Sequence, residues 1–320
     1  MQEFLCRVGH LVIVLAPVLA LLALGYGLGR SGVIDAGLRR GLGRLVFLVL
    51  LPALLLRKLG GGEMALELEP VAMLAGWGLL LVGFAALYMA TLRMSPERQG
   101  SAVTAGLRFN GALVGLPVVV QLGASELFAG GALAERYLLY MATQIPVIHV
   151  LAVLGVMLPQ RERRHGGPGV VFGSLARNPI LISTIAGTAI ALLWPGLFGG
   201  GMVGRSLDLL GAGAIPLALL ATGAAIELRG VCADLRALGG VVAARLLLFP
   251  LAALGLAVAL GFDPVMTAAM VVLFGCPTAV GAVPITTSLG GEERLIAAAV
   301  AVSSLLAPVS LALILALQLA

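Results

Sequence analysis

Charge is what this sequence has least of. Of its 320 residues only 11% are charged, 60% are hydrophobic, and the mean hydropathy is +1.11. Soluble domains run to about a quarter charged, so that class is excluded and an integral membrane protein is expected. Cysteine and histidine are scarce as well, at three each. Cys6, Cys232 and Cys276 are odd in number and far apart, which gives neither a disulfide framework nor a metal-ligand spacing. The isolated histidines make no metal cluster, so no metal or cofactor is expected. No basic face is long enough to neutralise several phosphates, so the net charge of +5 does not point to nucleic acid. No length remains for a soluble domain of useful size once the apolar runs are counted.

What is present is a series of apolar runs, each near the roughly 20 residues that cross a bilayer. They predict spans at His10–Gly29, Leu42–Leu56, Pro70–Leu92, Ser101–Leu122, Tyr137–Leu158, Asn178–Phe198, Leu207–Ile226, Leu238–Leu260, Val265–Leu289 and Leu295–Leu317. The N-terminus has Arg7 before an apolar run from Leu11 to Leu24, like a signal peptide. Because further spans follow, it is read as a retained first helix. The most polar stretch, Gln160 to Arg177, carries Arg161, Arg163, Arg164 and a Gly-Gly-Pro turn signal. It divides the chain into a first five-helix repeat (1–158), a cytoplasmic linker (159–177) and a second, inverted repeat (178–320).

Positive residues orient the spans. Arg7, Arg57, Lys58, Arg136 and Arg205 fall on the N-terminal side, and thirteen arginines, among them Arg39, Arg40, Arg98 and Arg161, fall on the other. The richer side is cytoplasmic, which puts both termini outside, or in the periplasm of a cell with a plasma (inner) membrane.

Two of the spans are interrupted. RFNGALVGLPVVVQLGASE, from Arg108 to Glu126, contains Gly111, Gly115 and Pro117; CPTAVGAVPITTSLGGEE runs from Cys276 to Glu293. Proline removes a helix hydrogen bond and clashes with the preceding turn. In lipid, broken backbone survives only where protein or a cavity covers it. Interrupted spans in matching positions of two halves point to a transporter's binding site. At an offset of 167, Ala112, Pro117, Gly123 and Glu126 fall on Ala279, Pro284, Gly290 and Glu293, and Pro52 pairs with Pro216 at a similar offset. The alternative is that Pro117 and Pro284 only kink close-packed helices, with Gly111 and Gly115 serving close approach.

Polar groups inside the spans are few and informative. Asn110 can donate and accept beside the break. Unwound backbone at Gly115–Pro117 and the positive ends of half-helices suit a carboxylate. Arg108 either attracts an anion or snorkels, and for Arg245 snorkelling is expected. His149, mid-span in IPVIHVLAV, is either a hydrogen-bonded structural histidine or a proton-coupling group. Asp208 is expected to cap a helix start. Ser303 and Ser304 are expected to serve helix packing, with lining of the site as the other option. No acidic residue lies in either crossover, which counts against a carboxylate-based sodium or proton site there. Gly25-Tyr26-Gly27-Leu28-Gly29 ends an apolar span and is no dinucleotide fingerprint.

Taken in order, LPALLL from Leu51, RFNGALVGLP from Arg108, Leu122-Gly123, IPVIHVLAV from Ile145, ARNPILI from Ala176, LGAGAIPLALLATGAAI from Leu210, CPTA from Cys276 and LGGEERLIAAAVAVSS from Leu289 resemble the auxin efflux carrier family. That family includes plant exporters of the PIN type and bacterial carboxylate permeases. The resemblance covers essentially the whole chain. Departures are His149 where bacterial members often have Asn, Val283 and Thr287 where Tyr and Arg are common, Glu292 in place of an Asp, and Pro277 where a second Asn would match Asn110. They bear on substrate and coupling ion rather than on the fold.

The resemblance implies an all-α polytopic membrane protein of ten transmembrane helices, arranged as a 5+5 inverted repeat with broken, crossing helices 4 and 9. Helices 1, 2, 6 and 7 would form a scaffold and helices 3–5 and 8–10 an elevator-like moving part. The substrate would be a small organic anion such as auxin or a dicarboxylate. Asn110, Gly115 and Pro117 would belong to one arm of the crossover, and Pro277, Thr278 and Pro284 to the other, with Arg108 adjacent. A sodium-coupled symporter of the bile-acid type shares this architecture. A membrane-embedded enzyme would need converging acid, base or metal groups within the spans, and His149 alone does not supply them. Partners are thus the bilayer and the anion; the oligomeric state stays open, with a homodimer among the options.

Overall fold

The computed structural model describes residues 2–60, 69–125, 128, 132–160, 179–194, 197–198, 201–226 and 235–319. Glu126, the arginines at 161, 163, 164, 177 and 229, Cys232 and Asn178 lie outside the described residues, and so does the expected linker beyond Gln160. The regular elements are helices: α1 (Gln2–Arg30), α2 (Ala36–Leu45), α3 (Leu51–Gly60), α4 (Pro70–Ala90), α5 (Pro96–Leu107), α6 (Leu116–Gly123), α7 (Ala132–Met157), α8 (Pro179–Leu193), α9 (Gly201–Ala224), α10 (Leu235–Ala243), α11 (Phe249–Ala259), α12 (Pro264–Gly275), α13 (Ala282–Ser288) and α14 (Glu293–Gln318). Six stretches are long and apolar enough to cross a membrane: Arg7–Arg30, Pro70–Ala90, Leu133–Met157, Gly201–Ala224, Leu235–Ala259 and Glu293–Gln318. Gly111–Gly123 and Pro264–Gly275 are shorter apolar helices. The protein is an all-helical, multi-pass membrane protein.

Proline shapes these helices in two ways. At a helix start it costs nothing, because the first N–H groups have no partner inside the helix; Pro70, Pro96 and Pro264 open α4, α5 and α12 this way. Inside a longer run it is either carried within the α-helix, as at Pro17, Pro146, Pro216 and Pro308, or preceded by a wider turn. The described residues contain three π turns, Val46–Leu50, Gly111–Gly115 and Ala244–Leu248. Each is followed, one residue on, by a proline: Pro52, Pro117 and Pro250. A proline ring collides with the carbonyl four residues back, and a wide turn relieves the collision by moving that carbonyl outward. The carbonyl four before Pro250 is Leu246 O, and it accepts a hydrogen bond from the Ser310 hydroxyl on α14. The helix therefore bends without leaving a bare acceptor in the membrane.

The helices fall into two packed groups. α1 lies along α9, while α3 lies against α8 and α9. α4, α5, α7, α11, α12 and α14 pack among themselves, with α10 against α5 and α14. The groups meet where α1 touches α14 and α6, where α7 touches α3 and α8, and where α9 touches the Gly111–Gly115 turn. In the first group a Cβ on Gly223 would stand 2.1 Å from Leu22 O, so α1 and α9 approach backbone to backbone. Asp208 does not cap a helix start: α9 begins at Gly201, and Asp208 sits within it, 2.9 Å from Arg57 Nε on α3.

At the other end of the second group, Asp263 caps α12 by accepting from Val265 N and Met266 N at 2.9 and 3.2 Å. Arg136 on α7 bonds to Asp263 and lies 3.5 Å from Glu69 Oε1. Partial burial alone would raise the Asp263 pKa; the N–H of Met266, Arg136 and the N–H of Val265 together outweigh it and hold the carboxyl below its ordinary range. This cluster pins the starts of α4, α7 and α12 together.

Candidate functional site

The site is built where two helices stop in mid-protein. α12 ends at Gly275 because Cys276 precedes Pro277, and the residue before a proline is driven out of the helical region; Cys276 has φ −59 and ψ 146. α5 ends at Leu107, and Arg108 is extended with φ −85 and ψ 98. The two extended stretches run antiparallel and pair through Phe109 and Thr278. Asn110 N donates to Pro277 O, and Ala279 N donates to Arg108 O, both at 2.8 Å. Thr278 N donates to Ser303 Oγ on α14 at 3.0 Å, and Thr278 Oγ1 donates to Ala105 O on α5 at 2.8 Å. Unwound backbone inside a membrane protein must be satisfied by its surroundings, and each arm here satisfies the other.

The first break is not where the Gly-Pro pattern suggested. The chain unwinds at Arg108–Asn110; Gly111–Gly115 is already a π turn, and Pro117 lies in the first turn of α6. The proline's collision is absorbed by the wide turn, so Gly115–Pro117 is helical and exposes no loose backbone. Asn110 O accepts from both Val114 N and Gly115 N at 3.1 Å. Asn110 is only 4% exposed, and its Nδ2 has no hydrogen-bond partner. A buried amide left so costs roughly 1–3 kcal/mol, and such a group calls for an explanation.

Gly115 has a packing reason. A Cβ there would stand 1.9 Å from Tyr137 Oη and 2.6 Å from Cys276 Sγ. Tyr137, on α7 and fully buried, donates through its hydroxyl to Gly111 O at 2.9 Å. Tyr137 thus ties the π turn to α7, a role its position in an ordinary apolar helix does not reveal. Pro117, Pro277 and Thr278 are buried. Pro284 is in α13.

Arg245 does not snorkel. It is 0% exposed, on the π turn between α10 and α11. Its Nε donates to Cys276 O at 2.9 Å, and its Nη1 donates to Gly106 O and Leu107 O at 3.1 and 3.2 Å. Its Nη2 donates to Phe274 O. These carbonyls belong to the last turns of α5 and α12 and the residue beyond, where a helix leaves acceptors without partners. The guanidinium also sits 5.7 and 5.1 Å from the ring centroids of Phe109 and Phe249, within cation–π range. An arginine in an apolar run looks like a snorkelling residue because carbonyl partners leave no trace in sequence. The one available signal is its place five residues before Pro250.

Arg108 turns toward α7, where its Nη2 lies 3.2 Å from His149 Nε2. His149 Nδ1 lies 2.9 Å from Ile145 O. A guanidinium can only donate, so Nε2 accepts and Nδ1 carries the hydrogen given to Ile145 O. The sequence-predicted residues Arg108, Asn110, Pro277 and Thr278 therefore come together, with Ser303 beside them; Ser304 Oγ is buried without a partner. Among the described residues no group of three or more His, Cys, Asp or Glu could hold a metal.

Comparison with curated proteins finds no match. A family model described as membrane transport protein matches residues 10–166 and 169–315. Matched over nearly its whole length, the chain belongs to this family of membrane transporters, the auxin efflux carrier family.

Proposed function

We propose that the protein is a secondary transporter of a small organic anion, a carboxylate of the auxin or dicarboxylate kind, and that the carboxylate binds at the paired segments around Asn110. The observation that carries this reading is the buried Nδ2 of Asn110, a donor without a partner at the point where both helices are open. The N-terminal end of Gly111–Gly123 adds a partial positive charge beside it. Gly115, Pro117, Pro277, Thr278 and Pro284 shape the two arms, and Arg108 adds charge beside them.

In this reading the helices make ten spans in a 5+5 inverted repeat, with residues 1–158 and 178–320 as the halves. α5–α6 and α12–α13 are the broken, crossing fourth and ninth spans. The antiparallel pairing of the two breaks supports it. The group of α1–α3, α8 and α9 acts as scaffold, and the group bearing the site moves against it as an elevator. The arginine bias supports an orientation with both termini outside, which the reading sets in a plasma (inner) membrane.

Uptake by reconstituted protein tests the site. Asn110→Ala should raise KM for the transported carboxylate by about tenfold, as expected when a hydrogen bond to a charged group is lost, while thermal unfolding stays as in the wild type. Unchanged KM and flux would remove Asn110 from the site.

Proton coupling at His149 has one route in this geometry: Arg108 must first leave Nε2. The pH profile of uptake by His149→Gln decides the matter. The expected profile is that of the wild type, with His149 serving to position Arg108; a flattened acid limb would assign the coupling proton to His149.

A further inference from the structure

We infer that Arg245 sets the sign of the charge that the site accepts, acting as a positioning and specificity-determining residue behind the binding place. The inference rests on the reading that an organic anion binds at the paired segments. Its basis is the arrangement of helix ends. α5 and α12 both point their C-termini into the crossover, and each helix end carries roughly half a negative elementary charge. Among the described residues, the run Gly111–Gly123 brings an N-terminus to the same place, and α13, starting at Ala282, is only seven residues long. Without a cation the backbone there would be negative on balance and would repel a carboxylate.

Arg245 reverses that balance. Its four hydrogen bonds go to Gly106, Leu107, Phe274 and Cys276, so it lies on both negative ends at once. No carboxylate among the described residues forms an ion pair with it. Arginine stays charged inside proteins, and a full unit of positive charge roughly cancels two half-charges. The positive end of Gly111–Gly123 and the Asn110 amide are then free to favour an anion. The other cation nearby, Arg108, is turned to His149 on α7 and meets neither helix end. Arg245 also fixes the two arms in register, since the same four bonds tie α5 to α12.

The effect should be read as a ratio. A unit charge about 10 Å away, at an effective dielectric near 20, changes an anion's affinity by roughly tenfold to twentyfold. Benzoate, indole-3-acetate and succinate are screened by thermal shift on the purified protein, and the best binder is then titrated beside its amide, which has similar shape and no charge. The wild type should prefer the carboxylate by about tenfold or more. Arg245→Lys, which keeps the charge and loses the planar fork, should keep that preference. Arg245→Gln should bind the two alike.

A purely structural arginine would weaken both ligands together and leave the ratio unmoved. The inference is overturned if the wild type binds carboxylate and amide equally, if Arg245→Lys loses the preference, or if Arg245→Gln retains it. The first two comparisons hold even where Arg245→Gln does not fold. Failure of the site reading looks different: Asn110→Ala would then leave carboxylate affinity unchanged whatever Arg245 does.

Discussion

Gly115→Ala should be among the most damaging single-methyl additions in this protein. The new Cβ would fall 1.9 Å from Tyr137 Oη and 2.9 Å from Tyr137 Cζ, with Cys276 Sγ at 2.6 Å. Tyr137 is 0% exposed and has no free space to enter, so the ring must move and its hydrogen bond to Gly111 O must break. Overpacking of this kind costs about 1–3 kcal/mol, and stranding the Gly111 carbonyl adds roughly 1–3 kcal/mol. Thermal unfolding in detergent should drop clearly, and uptake should be lost because the π turn carrying Asn110 is displaced. The double variant Gly115→Ala with Tyr137→Phe removes the closest clashing atom and should recover part of the stability, a non-additive result. A Gly115→Ala protein that melts and transports like the wild type would show that the turn has room the geometry denies.

The second large effect is expected at Arg245. Arg245→Met fills similar volume with an apolar chain and leaves the carbonyls of Gly106, Leu107, Phe274 and Cys276 without this donor. Leaving a buried acceptor unsatisfied costs about 1–3 kcal/mol, and here four carbonyls lose the same donor. The loss should appear as lower yield of folded protein and a lower unfolding temperature. Arg245→Lys should fall between, since an ammonium offers three donors but not the flat fork that reaches two helix ends. If Arg245→Met unfolds at the wild-type temperature, water or a lipid headgroup supplies those carbonyls and the arginine does not hold the crossover together.

The residues show why some of this was legible in sequence and some was not. The positions of the apolar runs and the pairing of the two broken stretches follow from composition and from Gly and Pro, which act on their own segment. Cys276–Pro277 is such a case: the proline alone ends α12. The break at Arg108–Asn110 is different, because no residue in it forbids helix. It is extended because Pro277 and Ala279 arrive from far along the chain to pair with it. Pro117 drew attention instead, yet its collision falls on a carbonyl four residues back and is taken up by a wide turn. Asn110 was identifiable as a polar residue in an apolar span, but that its amide lacks a partner depends on everything around it. Arg245 and Asp208 depart from what their sequence positions imply for a shared reason: the partners are backbone carbonyls in one case and Arg57 on another helix in the other.

The pairing at the crossover also says something about the order in which the protein comes to exist. Thr278 and the Ala105 carbonyl it bonds are 173 residues apart in the chain, and Arg245 is 139 residues beyond Gly106. When the first broken span emerges from the ribosome, neither Arg245 nor Pro277 has been made. Backbone without partners is not tolerated in lipid, so that span must wait in another state, shielded by an insertion factor or held as plain helix. It opens only after the later segments arrive. The binding place is thus a product of late assembly, and the half of the chain that contributes Asn110 cannot form it during synthesis on its own.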